Sequence, residues 1–592
     1  MPSLTRRPLT YPLVALASLI LLPAAFRLGD RIGDIVHQPA WHPAAAPVGP
    51  VQVLTQRNDN RRSGNNLREG TLNTTTVTPG RFGKVFSREV DGDIYAQPLY
   101  VSGLELAAGG GGGGAPTKRN VVFVATEHNS VYAFDADDPG ARLPLWQTNL
   151  GRSVLTSEIG KAAYGTYKDF SEEIGITGSP VIDLPSHTLY VVAKTIDTGG
   201  TIRQHLHALD IRTGKPRQAA TEIVASVPGR GVGGDSNRVP FNSRTSNQRS
   251  SLLLDRGVLY LAWASHADIQ PYHGWVMAYD ASTLRQIDAW CSTPDGEGGG
   301  VWMSGTGISA DSEGNLYFVV GDGTYTGERG GRDWGDSFLK MRLQDGKLKV
   351  TDYFTPHDQA RLNELDKDLG SCGAVLATGA NFIVSGSKAG VLYQIDPTRM
   401  GGFRSDSDAQ ILNRFPVTRG NIYGTPLTWD DPEFGPTVFV WGGYDYLKAF
   451  RLDREGRIDP QPKYSSTMPV PAGKPGGFLS FSSNGGEDGT AIVWASHPLK
   501  GSANRTSVPG VLRAFDARDI SRELWNSEID AERDSVGLFG KFCMPTVANG
   551  KVYLGTFSKR LNVYGLLPAA SVGAGDSSAD AAAATAPAVR GG

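Results

Sequence analysis

Short runs in which apolar and polar residues alternate recur along the chain, and each run is bounded by turn-forming residues. This two-residue period predicts β-strands separated by turns. One unit repeats eight times: an apolar strand is followed by a second strand that in most copies ends in aspartate. The second strands lie at residues 131–135, 206–210, 276–280, 339–343, 392–396, 447–451, 512–516 and 561–564. Such a repeat predicts an all-β, eight-bladed β-propeller with four-stranded blades.

The two ends of the repeat predict how the ring closes. The eighth unit, at residues 552–564, lacks an outer strand, whereas residues 82–90 resemble an outer strand but have no blade before them. An N-terminal strand that completes the last blade explains both features and removes an exposed sheet edge. We therefore expect the propeller to span residues 50–567. The alanine-, glycine- and serine-rich residues 568–592 are expected to form a disordered tail.

The N-terminal residues have the composition of a targeting segment. Arg6 and Arg7 precede an apolar run at residues 11–26, so residues 1–34 are predicted to be a signal peptide or an N-terminal anchor. The hypothesis is an exported protein, periplasmic or extracellular, with attachment to the membrane through this segment left open.

Charge and cysteine usage narrow the function classes. The 58 lysine and arginine residues nearly balance the 60 aspartate and glutamate residues, so no electrostatic argument favours nucleic acid as a partner. The three cysteines are widely spaced and none lies in a Cys-x-x-Cys-His motif, so covalently attached haem is not encoded.

The residues before each innermost strand of a propeller should converge at one mouth of the central channel. Here they combine cations, amides, hydroxyls and aromatic rings, and the predicted ligand-binding residues among them are Glu173, Thr177, Arg244, Asn247 and Arg249. Arginine side chains bind carboxylates through two parallel hydrogen bonds. The ring therefore suits a planar polyanionic ligand, and a polar, water-filled channel is the alternative that the residues leave open.

Three motifs carry a resemblance to a known family. Their sequences are Gly-Gly-Gly-Val-Trp at 298–302, Gly-Asp-Gly at 321–323, and Thr-Pro-His-Asp at 355–358 ahead of Leu-Asp-Lys-Asp at 365–368. In this order they resemble the motifs of the quinoprotein alcohol dehydrogenases, eight-bladed propellers that bind pyrroloquinoline quinone (PQQ) and usually Ca²⁺. Residues 58–61 and 91–100 also resemble segments of exported bacterial PQQ-repeat proteins of unassigned activity.

The resemblance implies a role for each matching residue. Trp302 would form the floor on which PQQ stacks, and Asp322 would replace an asparagine that ligates Ca²⁺ in the family. Asp366 would be the catalytic base, which takes the proton of the substrate hydroxyl, and a further metal ligand. Asp268 is the carboxylate nearest the position of the family's glutamate ligand.

Two features of the sequence depart from the family pattern. The adjacent cysteines that cover PQQ in many members are absent from residues 245–249, and Leu365 stands in place of a tryptophan, after the additional residues 359–364. Arg244 and Arg249 would either compensate as clamps for the cofactor's carboxylates or pair with acidic neighbours.

Three functions therefore compete. The leading hypothesis is an exported quinoprotein-like oxidoreductase that oxidises an alcohol-type organic substrate with PQQ and a divalent cation and passes electrons to a separate acceptor. The alternatives are a noncatalytic propeller that binds a protein or polysaccharide partner on one rim, and a propeller enzyme that works without PQQ. Because a fold does not determine a function, the geometry of the site has to separate them.

Overall fold

The computed structural model describes residues 49–106, 117–162, 165–377, 379–471 and 473–568. The predicted signal or anchor at residues 1–34 and the predicted tail beyond residue 568 lie outside the described residues. Within the described residues, no helix is long and apolar enough to cross a membrane.

Eight antiparallel sheets follow one another along the chain, and each has four main strands, as the repeat predicts. Blades 1 to 4 consist of Leu99–Leu106, Thr117–Ala125, Ser130–Asp135 and Trp146–Asn149; Val181–Asp183, Thr188–Ile196, Ile202–Asp210 and Thr221–Glu222; Leu253–Asp255, Val258–Ser265, Trp275–Asp280 and Gln286–Cys291; and Ser309–Ala310, Leu316–Val319, Phe338–Gln344 and Lys347–Thr355. Blades 5 to 7 consist of Val375–Leu376, Ile383–Gly386, Val391–Ile395 and Asn413–Pro416; Leu427–Asp431, Gly435–Val440, Tyr446–Arg451 and Tyr464–Pro469; and Phe478–Ser482, Ile492–Pro498, Gly510–Asp516 and Glu523–Asn526.

Blade 8 confirms the predicted closure of the ring. Its first three strands are Thr546–Ala548, Lys551–Gly555 and Arg560–Leu566, and its outer strand is the N-terminal Phe82–Glu89, which runs antiparallel to Arg560–Leu566. Phe82 is fully buried, with its ring centroid 4.9 Å from that of Trp525. The two ends of the propeller are thus joined by main-chain hydrogen bonds, and the buried aromatic contact packs the N-terminal strand against blade 7.

Shorter elements decorate the blades and their connections. The additional strands are Gln52–Val53, Asn65–Asn66, Val154–Leu155, Lys161–Ala162, Gly165–Thr166, Glu173–Ile174, Ser226–Pro228, Arg238–Pro240, Ser246–Asn247 and Gly402–Phe403. The short helices are Thr156–Ile159, Gln359–Glu364 and Ala531–Asp534, and the 3₁₀ turns are Met303–Gly305, Gly327–Arg329 and Leu369–Ser371.

The hydrophobic core lies between neighbouring blades. Successive residues of a strand point to opposite faces of its sheet. Phe123 of blade 1 therefore packs in one buried cluster with Val191 of blade 2, whereas Val122 packs in another with Tyr553 of blade 8. Because both faces of a blade are buried, the second strand of most blades contains an apolar run, such as those at residues 121–125 and 189–193.

The segment 55–66 occupies the central channel, which the repeat pattern did not predict. Its Arg57 and Arg62 side chains are fully buried. Arg57 donates a hydrogen bond of 2.6 Å to the carbonyl of Pro426, just before blade 6, and Arg62 one of 3.0 Å to the carbonyl of Ile308, just before blade 4. The segment therefore ties together blades on different sides of the ring and fills the channel between their innermost strands.

Candidate active site at the channel mouth

A cavity of about 180 Å³ lies at the mouth of the channel. Among the residues predicted from the sequence, those that line it are Asn247, Arg249, Asp268, Trp302, Asp322 and Asp366. Asn247, Arg249, Trp302 and Asp366 come from the connections that lead into blades 3, 4 and 5, and Asp268 and Asp322 come from loops within blades 3 and 4. The propeller thus brings together six predicted residues that are far apart in the chain.

The other three predicted residues do not line this cavity. Arg244 is exposed and donates to the carbonyl of Glu158 at 2.5 Å. Glu173 pairs with His128 at 3.0 Å, and the Thr177 hydroxyl donates to the buried Glu127 carboxylate at 3.1 Å.

An insertion between blades 1 and 2 explains this placement. Glu173–Ile174 pairs with Val154–Leu155 in a short hairpin, and the residues just before Glu173 reach the cavity in its place. These residues are Tyr167, Asp169 and Phe170. The prediction assumed that the residues nearest the inner strand line the cavity. Because of this strand pairing, residues further from the inner strand line the cavity instead.

Three carboxylates form a compact group on one side of the cavity. Asp322, Asp366 and Asp368 each offer an oxygen within 4.8 Å of the others. Lys388 contacts two of them, with its Nζ 2.5 Å from Asp366 and 2.6 Å from Asp368. The Asp322 N–H donates to Asp368 at 3.2 Å. We call Asp322, Asp366 and Asp368 the acid trio.

Burial and mutual repulsion perturb the acid trio. Burial raises the pKa of Asp322, and the adjacent charge of Asp368 raises it further. Burial alone would raise the pKa of Asp368 as well, but the Lys388 ammonium and the hydrogen bonds from Lys388 and Asp322 together outweigh that effect and hold the pKa below its usual value. The two carboxylates therefore share a proton or a cation more readily than they ionise separately.

The acid trio has the ligand chemistry of a hard divalent cation. Ca²⁺ takes carboxylate oxygens in flexible geometries. Asp268 also lines the cavity. Burial raises its pKa, and the negative charge of Asp368 raises it further, so Asp268 lies within electrostatic range of the acid trio. Asp368 was not among the predicted ligands, although its position two residues after Asp366 was the available signal.

Trp302 forms an aromatic surface beside the acid trio. The guanidinium carbon of Arg249 lies 5.1 Å from the centroid of its ring, and Lys388 Nζ lies 5.3 Å from it. The Tyr423 ring is 6.1 Å away. Gly321 packs closely against the indole, since a Cβ at that position would lie 3.2 Å from Nε1. A flat ligand on this surface would have cations at its edges.

Two polar side chains in the cavity wall lack partners. The Nε and Nη2 atoms of Arg249 and the Oδ1 atom of Asn247 are buried without a hydrogen bond among the described residues. Burial lowers the pKa of Arg249 to about 10. Buried donors and acceptors are nearly always satisfied in folded proteins. These atoms, together with Trp302 and the acid trio, fit a planar polyanion such as PQQ with a divalent cation.

Comparisons with solved structures agree with this fold. The chain is similar to the quinohemoprotein alcohol dehydrogenase from Comamonas testosteroni (TM-score 0.51, 12% identity, 88% of this chain and 81% of that chain covered). For quinohemoprotein alcohol dehydrogenase ADHIIG from Pseudomonas putida HK5 the TM-score is 0.49 at 13% identity, and the alignment covers 88% of this chain and 82% of that chain. BamB from Moraxella catarrhalis has a TM-score of 0.39 at 12% identity, with 82% of this chain and 97% of that chain covered.

Sequence comparisons add no closer relative. No protein-family model matches the chain, and no curated protein matches it. At 12% identity the likeness to the Comamonas testosteroni structure shows the eight-bladed propeller fold that the sequence resemblance implied, and the chemistry depends on the side chains of the cavity.

Proposed function

We propose that the protein is an exported quinoprotein-like oxidoreductase, which oxidises an alcohol-type organic substrate at the channel mouth with PQQ and a divalent cation. The observation that carries this proposal is the acid trio beside the Trp302 ring within one cavity. An aromatic face, unpaired cations and a carboxylate group are the three features that a flat quinone with carboxyl groups and a bound cation requires.

The residues divide the work of binding. Trp302 supports the ring system, Arg249 and Asn247 use their unpaired atoms to hold carboxylate or carbonyl oxygens, and Asp322 and Asp368 ligate the cation. Lys388 lies between the acid trio and the Trp302 ring, so it donates to an oxygen of a ligand stacked there once a cation has taken its place among the carboxylates.

Asp366 is the residue we assign as the base. Its side chain is 69% exposed, whereas that of Asp368 is 2% exposed, so Asp366 is the member of the acid trio that a substrate reaches. Oxidation of an alcohol removes two electrons and two protons, and the hydroxyl proton passes to the Asp366 carboxylate. When bound, PQQ supplies the two-electron acceptor for the carbon-bound hydrogen. The electrons then leave to a separate acceptor, which regenerates the enzyme.

Fluorescence titration of the mature protein with PQQ and Ca²⁺ tests the proposal. We expect saturable quenching of tryptophan emission, because a stacked quinone lies against the indole. Trp302→Ala should abolish the saturable phase. Trp290→Phe is the matched control, since Trp290 packs on Phe318 in the core between blades 3 and 4 and does not line the cavity.

Two results would count against the proposal. Absence of quenching at any PQQ concentration, with or without Ca²⁺, would show that the protein does not bind PQQ at Trp302. A noncatalytic propeller with a partner on its rim would then be the better hypothesis. Equal quenching in wild type and Trp302→Ala would place the quinone elsewhere. Dye reduction that requires PQQ, Ca²⁺ and Asp366 would establish the oxidation itself.

A further inference from the structure

Most of the acidic side chains of the cavity lie on one side of it, whereas three cations lie toward the other side with a single carboxylate, Asp169, near them. The acidic side chains Asp268, Asp322, Asp366 and Asp368 come from blades 3 to 5. Lys474 comes from the connection into blade 7 and Lys541 from the connection into blade 8, which lie across the ring. Arg249 reaches toward this second side, with its guanidinium carbon 3.5 Å from the centroid of the Phe542 ring. We call Arg249, Lys474 and Lys541 the cationic wall.

No member of the cationic wall forms an ion pair with a carboxylate among the ion pairs of the described residues. Lys541 is 6% exposed, and its Nζ donates to the main-chain carbonyls of Asp169 at 2.7 Å and Asn504 at 3.1 Å. Lys474 Nζ lies 5.6 Å from the centroid of the Tyr423 ring. Carbonyls and rings solvate a cation only partly, so each charge keeps an attraction for an anion.

The electrostatic cost of this arrangement is visible at Lys541. The pKa of Lys541 is lowered to about 7, mainly by burial. The negative charge of Asp169 raises this pKa in part, whereas the positive charges of Arg249 and Lys474 lower it further. Three cations that repel one another in a buried wall are costly unless a ligand compensates them. A carboxylate bound between them would remove the repulsion and restore the ammonium form.

A second chamber of about 540 Å³ adjoins Lys541 and shares Lys541, Arg505 and Asp169 with the cavity, so one carboxylate accompanies its cations. Its lining adds another cation, Lys168, and a set of hydroxyl groups from Thr156, Thr166, Ser171, Thr506 and Ser507. Hydroxyl groups on a chamber wall exchange hydrogen bonds with a hydroxylated ligand, and the lysines favour a negative charge on it.

We propose that the cationic wall binds the carboxylate of a polyhydroxylated organic acid, which extends from the outer chamber and is the substrate of the oxidation proposed above. The naming of this ligand as a substrate rests on the proposed function, whereas binding of the acid to the wall does not. Arg249 lies within reach of the Trp302 ring. Lys541 lines both the cavity and the outer chamber, and Lys474 lines the cavity, so these two lysines remain for the substrate.

Calorimetric titration with D-gluconate tests this proposal, with D-glucitol as a neutral counterpart that has a hydroxymethyl group in place of the carboxylate. We expect gluconate to bind at least about tenfold more tightly than glucitol, and Lys474→Met and Lys541→Met each to weaken gluconate binding by about tenfold or more. Binding should also weaken as salt is added. Lys215→Met is the control, because Lys215 is exposed in a turn of blade 2 and does not line either chamber.

Each titration is run with cofactor-free protein and with protein preincubated with PQQ and Ca²⁺. Gluconate binding in both forms, weakened by the two lysine variants, supports the proposal. Equal affinity for gluconate and glucitol overturns it, and so does unchanged binding in well-folded Lys474→Met and Lys541→Met. Loss of gluconate binding in the PQQ-loaded protein also overturns it, because the wall would then hold the carboxylates of the cofactor.

The two proposals fail in different ways. Lysine-dependent gluconate binding in a protein that does not bind PQQ would refute the proposed function and support the cationic wall as an acid-binding site. Because Lys541 is buried, circular dichroism and the unfolding midpoint are recorded for each variant. The half-buried Lys474 provides an independent measurement if Lys541→Met fails to fold.

Discussion

Replacing Lys388 tests whether the acid trio is a cation site. The Lys388 ammonium group forms ion pairs with Asp366 and Asp368 of the acid trio. The Lys388 side chain is 10% exposed and that of Asp368 is 2% exposed. Removing one partner of a buried ion pair costs about 3–5 kcal/mol, whereas the contact with the exposed Asp366 contributes at most about 1 kcal/mol. Since Asp368 can share a proton with Asp322, we expect Lys388→Met to lower the free energy of unfolding by about 3 kcal/mol without a divalent cation.

Calcium should reverse most of this loss. A divalent ion bound among the carboxylates supplies the missing positive charge. In the variant this ion no longer competes with the Lys388 ammonium group for the carboxylates. Binding to the native state alone stabilises it by an amount that grows with the ratio of calcium to its dissociation constant, about 2.7 kcal/mol at a hundredfold excess. Urea unfolding with and without Ca²⁺ measures both effects, and Lys388→Met should gain more from calcium than wild type.

Lys448→Met is the matched control for this experiment. Lys448 forms a similar ion pair with Asp445, at 2.7 Å and with 20% exposure, in blade 6. Lys448→Met should destabilise the protein, but calcium should not restore its stability. Within the described residues, Asp445 belongs to no group of carboxylates that could bind a metal ion. If calcium changes the stability of both variants equally, or of neither, the acid trio is not a cation site and the reasoning is refuted.

Two further predictions concern a glycine and a buried acid. A Cβ at Gly274 would lie 1.8 Å from the Gly299 carbonyl, so Gly274→Ala should cost about 3 kcal/mol and disturb the turn before Trp302. Gly70→Ala, which has no neighbour within 4 Å, should be neutral in the same urea titration. Burial raises the pKa of Glu127 from 4.5 to about 8. The native state thus keeps a proton that the unfolded chain releases above about pH 4.5, so wild type loses stability as the pH rises through this window. Glu127→Gln should remove that dependence, and at about 1.4 kcal/mol per pKa unit it should be more stable than wild type by about 4 kcal/mol at the upper end; parallel unfolding curves for the two proteins at all pH values would contradict this.

Most of the fold follows from local sequence patterns. A strand with a two-residue period, a turn and a second strand ending in aspartate carry enough information to locate a blade, because the hydrogen bonds between its central strands join residues nearby in the chain. The unpaired run at 82–90 and the missing strand after residue 564 were sufficient to predict the closure. In contrast, Arg57 and Arg62 lie in a segment without periodicity, and their partners are carbonyl groups, which every residue possesses. No composition signal could place them in the channel.

The site was predicted where a motif fixes a residue relative to its own strand. Trp302 and Asp322 follow directly from a glycine run and a strand end, and both line the cavity. Lys388 and Lys474 lie in connections of other blades with no motif around them, so only the ring brings them to the mouth. Glu173 was displaced by a hairpin that the repeat pattern did not reveal.

The ring also explains why the opposite charges of the cavity do not neutralise one another. The acid trio projects from blades 4 and 5, and Lys541 from the connection into blade 8, so the channel itself separates them. Ion pairs form where side chains can meet, as Lys388 does with Asp366 and Asp368. Across the mouth, Lys541 donates to carbonyl groups and is attracted by the more distant charge of Asp169, and Lys474 lies near the Tyr423 ring. A ligand that satisfies both sides must carry a cation or a proton donor at one end and an anion at the other. That requirement is why a bound divalent cation and an acidic substrate belong to the same account of this cavity.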